Sequence, residues 1–369
     1  MMRIPFNKPC VWGDEQKYLE KVISNRKFSG RGEFCNKCAA LIEKITLAKQ
    51  VFMTPSCTAA LEMCALLLHL QPGDEIIMPS FTHIASANPF VRNGAKLVWC
   101  DIRKDTKNID EKQLEKLITN KTKAVVVVHY GGFSCEMDKI ITICKKHHIL
   151  LIEDAAMAIG AKYRDKPLGS FGDLAVISFH ETKNIQCGEG GALIVNNSEM
   201  LEEATFLYDK GTNREEFEKG ESDHYTWISS SSNFLMSELQ AAFLYTQLLH
   251  LEEITLERLK NWNSYYELLS RTFSPDSLPP SLPFIQSNAH IFYIMLSNSK
   301  DRKLLIQYLE KQEIQSVFHY IPLHSAPIWQ GKYADTLLPV TDMVSQTILR
   351  LPLFFGLAND DITKIVHHI

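Results

Sequence analysis

Residues 124–154 read AVVVVHYGGFSCEMDKIITICKKHHILLIED, and this stretch decides the fold. Val125 to Val128 are apolar on both faces of an extended chain, which suits a parallel strand covered by helices on each side. A helix-period segment, 136–147, follows, and then a second apolar run, Ile149–Glu153. Strands alternating with helices imply a mainly parallel α/β sheet.

The pattern extends in both directions. Further strands are expected at Val51–Met53, Glu75–Met78, Lys96–Cys100, Leu174–Phe179 and Ala192–Val195, with the first valine-rich strand spanning Ala124–His129. Helices are expected near 57–69, 82–93 and 111–119, and Gly188–Gly191 reads as a turn. The character changes after about residue 235. Leu235–Arg258 reads as one long helix, followed by Trp262–Leu269 and a proline-rich connection, Ser274–Pro283. A smaller α/β unit then has a strand near Ile291–Leu296, a helix near 301–312 and a strand near Ser316–Tyr320. The expected division is a large domain, 1–245 with its N-terminal segment, and a small C-terminal domain, 246–369.

Composition narrows the function classes. With 369 residues, 45% hydrophobic, 22% charged and a formal net charge of −4, the chain reads as an ordinary globular protein. That charge gives no general attraction to nucleic acid or anionic membranes, so neither is expected as a partner, and a phosphate-bearing ligand must be held by local donors. Nine scattered cysteines and no signal-peptide core point to reduced thiols and a cytoplasmic location. Cys35 and Cys38 form a lone C-x-x-C, which reads as two thiols on a helix, and no metal site is expected.

Chemistry gathers at strand ends, where ligands of open α/β sheets bind. Ser56-Cys57-Thr58 opens a helix, either as an ordinary cap or as a phosphate cradle of free N–H groups. Glu153-Asp154 ends a strand, where an acid can cap the next segment, bind a metal or pair with a cationic ring nitrogen. Phe81, after the strand at 75–78, is an aromatic placed to stack on a planar ligand or to fill the core, and His129 ends its strand on the same rim. Lys183, in the SFHETKN stretch 178–184, is a single lysine just past a strand. One ligand fits all of these: a planar cofactor with a phosphate, a cationic ring nitrogen and an aldehyde that condenses with lysine, which is pyridoxal 5′-phosphate (PLP).

The motifs TPSCTAALEM, QPGDEIIMPSFT, VHYGG, EDAA, SFHETKN, GEGGA, KGTNR and SELQAA resemble the DegT/StrS-type sugar-nucleotide aminotransferases, from Ile4–Pro9 to Leu351–Phe354. HETKN, KGTNR and FHYIPLH resemble one branch, the dTDP-4-amino-4,6-dideoxygalactose transaminases. The resemblance implies the type I aminotransferase fold and a homodimer whose active sites are shared. It implies that Lys183 binds the cofactor covalently and that Asp154 pairs with its ring nitrogen. Phe81 would stack on the ring, Ser178 would join Cys57 and Thr58 on the phosphate, and Asn233 would reach the partner subunit's phosphate. Lys210, Arg214, Tyr320 and His324 become substrate-side candidates. Met157 stands where the family commonly has Gln, and it cannot donate that hydrogen bond. Leu235 likewise replaces a common Arg.

The implied reaction moves an amino group from L-glutamate to a dTDP-4-keto-6-deoxyhexose, for surface polysaccharides such as lipopolysaccharide or enterobacterial common antigen. Alternatives are the glucose epimer, reaction at C3, or a non-catalytic regulator on the same fold. A PLP-dependent dehydratase is disfavoured because that branch replaces the lysine.

Overall fold

The computed structural model describes residues 4–329, 331–333 and 335–369. In chain order the strands of the larger part are β1 (Gln50–Thr54), β2 (Glu75–Pro79), β3 (Lys96–Cys100), β4 (Thr122–Val128) and β5 (Leu150–Asp154). A small ribbon, β6 (Lys162–Tyr163) and β7 (Lys166–Pro167), precedes β8 (Leu174–Ser178) and β9 (Gly191–Val195). Seven of these form one sheet in the order β1-β9-β8-β5-β4-β2-β3. Only β9 runs against the others, pairing antiparallel with both β1 and β8.

Alternation along β4 shows how the sequence builds the layers. Ala124 and Val126 belong to the core under the helix Cys57–Leu67. Val125 and Val127 enter the opposite core, under the helix Met137–His147. Both faces are sealed, so each valine contributes roughly 1.5–3 kcal/mol of burial, and no polar residue interrupts the run.

The expected helix 82–93 is a short 3-10 turn, Ile84–Ser86, and a helix of one turn, Asn88–Arg92, with Pro89 in its first turn. The long helix expected over Leu235–Arg258 is two helices. Glu238–Leu249 opens with a capping box between Ser237 and Gln240. Leu251–Leu269 follows at once and absorbs Trp262–Leu269. The break falls at His250, whose ring stacks on Trp12 at 4.0 Å. The expected divide at 245 lies inside the first of these helices.

Beyond them, β10 (Ile285–Gln286) joins the small ribbon. A separate two-stranded sheet is made by β11 (Phe292–Met295) and β12 (Ile348–Leu351), which pair antiparallel. Its core joins Phe292, Ile294, Leu349 and Leu351 to Tyr265, Ile362 and Ile365. The strand expected over Ser316–Tyr320 does not form: Val317 makes a single antiparallel bridge to Arg350, on the edge of β12 that faces away from β11, and the pairing goes no further. Cys35 and Cys38 are buried and bonded to the carbonyls of Met236 and Ala241, as ordinary packed thiols.

Candidate active site

A cavity of about 400 Å³ opens at the ends of β5 and β8. Its walls bring together Cys57, Thr58, Asp154, Met157, Ser178, Lys183 and Tyr320.

One wall is a helix start. Ser56 Oγ accepts from the N–H of Ala59, and its carbonyl takes the N–H of Ala60. The first-turn N–H groups of Cys57 and Thr58 are left as donors for an anion. Gly191 keeps that end open, because a Cβ on it would lie 2.4 Å from the Cys57 nitrogen. Burial pushes the Cys57 thiol up, so it stands there neutral.

The second wall is the acid. Asp154 Oδ2 accepts from Ser86 Oγ at 2.6 Å, Ser86 is in turn bonded to Thr82 at 2.9 Å, and Oδ1 takes the N–H of Ala156. Its neighbour Glu153 points the other way, as strand alternation requires. Glu153 is fully buried and accepts from His129 and from the N–H groups of Gly169, Phe171 and Gly172 at 2.6–2.9 Å. Burial alone would raise its pKa, but His129 and these backbone donors outweigh that and hold it below the usual carboxylate range. His129 Nδ1 accepts from Cys135, so Nε2 carries the proton given to Glu153. Glu153 and His129 brace the strand ends; the cavity does not include them.

Lys183 lies between these walls on a turn fixed by its own N–H to the His180 carbonyl, 2.9 Å. Burial pushes its amine below the ordinary lysine range; Asp154 opposes that fall and the charge of Arg350 adds to it. A neutral amine is the form that attacks an aldehyde.

Met157 completes the floor. Its sulfur accepts the N–H of Gly131 at 3.3 Å, so the thioether is tied to the glycine pair after β4. Asn288 holds this floor to the smaller part of the chain. Its side-chain amide donates to the carbonyls of Met157 and Ile159, both at 2.9 Å, and its backbone carbonyl accepts from the side chain of Asn184, next to Lys183, at 2.8 Å. Gly132 must lack a side chain here, because a Cβ would meet Asn288 Oδ1 at 2.0 Å.

Not every expected residue reaches the cavity. Phe81 is 1% exposed and packs on Tyr130 and Tyr320, ring centroids 5.2 and 5.5 Å away, behind the wall. His83, two residues on, does line the cavity, as do the rings of His290, His319 and Tyr320. His324 is also turned away: its backbone N–H donates to Ser80 Oγ, which is also bonded to its Nδ1 at 2.7 Å. Lys210, Arg214 and Asn233 line a different cavity of about 270 Å³ with Ser29 and Ser237. There Lys210 pairs with Asp209 and Arg214 with Glu218, at 2.6 and 2.7 Å.

The structure adds His83, Ser86, His290, His319 and Arg350 to the site. His290 Nδ1 is bonded to Asn184 Oδ1 at 2.8 Å, and His319 stacks on Tyr320 at 3.8 Å. Burial keeps both imidazoles neutral. Arg350 had a readable signal, as the one charge in the apolar run Ile348–Leu353.

The sequence matches the DegT/DnrJ/EryC1/StrS aminotransferase family from residue 9 to residue 369. The chain belongs to that family. Its fold and its enzyme class follow: this DegT/StrS protein is an aminotransferase, and its cofactor is PLP. An uncharacterized protein of Methanocaldococcus jannaschii is 30% identical over 379 residues, covering 99% of this chain and 96% of its own. PseC of Helicobacter pylori, an aminotransferase involved in the biosynthesis of pseudoaminic acid, is 26% identical, with a TM-score of 0.90 over 99% and 97% of the two chains. Spr1654 from Streptococcus pneumoniae, in its PMP form, is 24% identical with a TM-score of 0.92 over 99% and 98%, a likeness of fold. The donor set of this DegT/StrS aminotransferase fits the cofactor: free helix N–H groups for a phosphate, an anchored acid for a ring nitrogen and an unpartnered amine for an aldehyde.

Proposed function

We propose that this aminotransferase passes the amino group of L-glutamate to a dTDP-4-keto-6-deoxyhexose, giving dTDP-4-amino-4,6-dideoxygalactose for a surface polysaccharide. The observation that carries a transaminase reading is the half-buried amine of Lys183 sharing one cavity with Asp154 and the open helix start at Cys57. The sugar-nucleotide acceptor is supported by the KGTNR and FHYIPLH motifs and by the likeness to PseC.

PLP supplies an aldehyde to take up the amino group and a ring to draw off electrons. The residues divide the rest of the work. Cys57, Thr58 and Ser178 would hold the phosphate. Asp154, fixed by Ser86 and Ala156, keeps the ring nitrogen protonated. Lys183 Nζ takes the proton from the donor's α-carbon and later gives one to the sugar carbon that receives nitrogen. Met157, in the cavity floor, would offer the ring an apolar contact and no hydrogen-bond donor. Tyr320 lines the substrate side of the cavity, and His324 fixes the loop that carries it.

We assign the stacking role to His83 in place of Phe81. His83→Ala is expected to weaken PLP binding about two- to tenfold, the range of one aromatic stacking contact, measured by absorbance titration of stripped enzyme. Phe81→Leu is expected to lower stability and leave that affinity unchanged. The reverse pattern would return the role to Phe81.

Two copies are taken to share their sites, with Asn233 reaching the partner's phosphate and Lys210 and Arg214 meeting the sugar nucleotide's phosphates. The clustering of these three around one cavity supports that placement. We place the divide between the large and small domains at His250, where the two long helices meet. The deciding experiment incubates the enzyme with dTDP-4-keto-6-deoxyglucose and glutamate and resolves the product by NMR. An axial amine at C4 is expected. An equatorial amine or one at C3 would correct the product, and no amino sugar at all would overturn the reading.

A further inference from the structure

We infer that Arg350 is the carboxylate-binding residue for the amino donor, an inference that rests on the transaminase reading above. Arg350 sits on β12 among buried apolar residues, and its backbone is bonded in both directions to Val317. Its side chain leaves this sheet for the cavity that holds Lys183. Nε is sealed from solvent, and among the described residues it has no hydrogen-bond partner and no carboxylate pairs with the guanidinium. The face of Phe6 covers it, 4.7 Å from the ring centroid. Arg258, the other deeply placed arginine, gives its N–H groups to the carbonyls of Ala289, His290 and Leu353. A covered guanidinium without such partners is costly unless a ligand brings the opposite charge.

The acids of the cavity are already engaged. Asp154 accepts from Ser86 and Ala156, and Glu189 lies 3.6 Å from His180. His290 and His319 are bonded to Asn184 and Tyr130 and add no full charge. Arg350 therefore remains as the fixed cation for an incoming anion beside the reactive amine. A guanidinium fork matches a planar carboxylate with two parallel N–H donors. A nucleotide diphosphate offers the same charge, but the cations suited to it, Lys210 and Arg214, stand around the other cavity. An amino acid must put its α-carbon at Lys183, which brings its carboxylate within reach of a neighbour of that lysine.

The test titrates the holoenzyme separately with glutarate, a dicarboxylate that cannot react, and with dTDP, by calorimetry. Arg350→Gln is expected to weaken glutarate by about tenfold or more and to raise KM for glutamate similarly, the scale of a lost charged hydrogen bond. Affinity for dTDP should change by less than about twofold, since no such bond to the nucleotide is lost. Arg350→Lys keeps the charge without the fork and should fall between wild type and Gln; it decides the matter if the Gln variant does not fold. Unchanged glutarate binding in the folded variants, or a loss confined to dTDP, would overturn the inference. If the wild type aminates no keto sugar from glutamate, the parent reading fails, a result separate from the glutarate titration.

Discussion

Lys183→Ala will leave a folded protein that turns over about 10³-fold more slowly or worse, within the range measured when a positioned acid–base group is lost. The fold should survive because the side chain makes no hydrogen bond among the described residues; its backbone N–H donates to the His180 carbonyl. Borohydride treatment of the wild-type holoenzyme should fix the cofactor on the peptide carrying Lys183, and the alanine variant should show no such adduct. An adduct on another lysine, or turnover near the wild-type rate, would remove Lys183 from its role.

Glu153→Ala carries the largest expected cost in stability. It removes the acceptor for His129 and for three backbone N–H groups in a region closed to water. Breaking a buried pair of this kind costs about 3–5 kcal/mol, which a urea or thermal unfolding curve would show. The carboxyl is held below its ordinary value in the folded state. Its contribution is therefore fully present above the unfolded pKa of about 4.3 and is lost as the pH falls through the lower, folded value. Wild type should lose stability on acidification in that window more steeply than Glu153→Gln. Equal slopes would show that Glu153 is not held ionised by these donors.

The parallel layers were legible because runs such as Val125–Val128 leave no polar face. Lys183, Asp154, Ser178 and the 57–58 helix start were legible for another reason: all stand at strand ends that one topology collects on a single rim. What escaped the sequence depends on contacts far along the chain. Nothing near 250 marks a helix break, and the contact found there, the stack of His250 on Trp12, joins residues far apart in the chain. The segment 316–320 has strand-like residues, yet it pairs at one residue only, Val317, through a bridge to Arg350 far along the chain. Phe81 and His83 both follow the end of β2 at Pro79, where alternation no longer says which side chain faces the ligand. Arg350 could be noticed as an oddity in its strand, but its nearness to Lys183 joins residues 167 positions apart, which no local pattern encodes.

Asn288 gives the site a mechanical property. The attacking amine and the guanidinium arise from different sheets, so small errors of alignment between those sheets would ordinarily accumulate at the gap between them. Asn288 holds Asn184, the neighbour of Lys183, and lies just ahead of β11, on which β12 and Arg350 are registered. Both sides of the gap are thus referred to one datum. A displacement of either wall would pull on the same residue that positions the other.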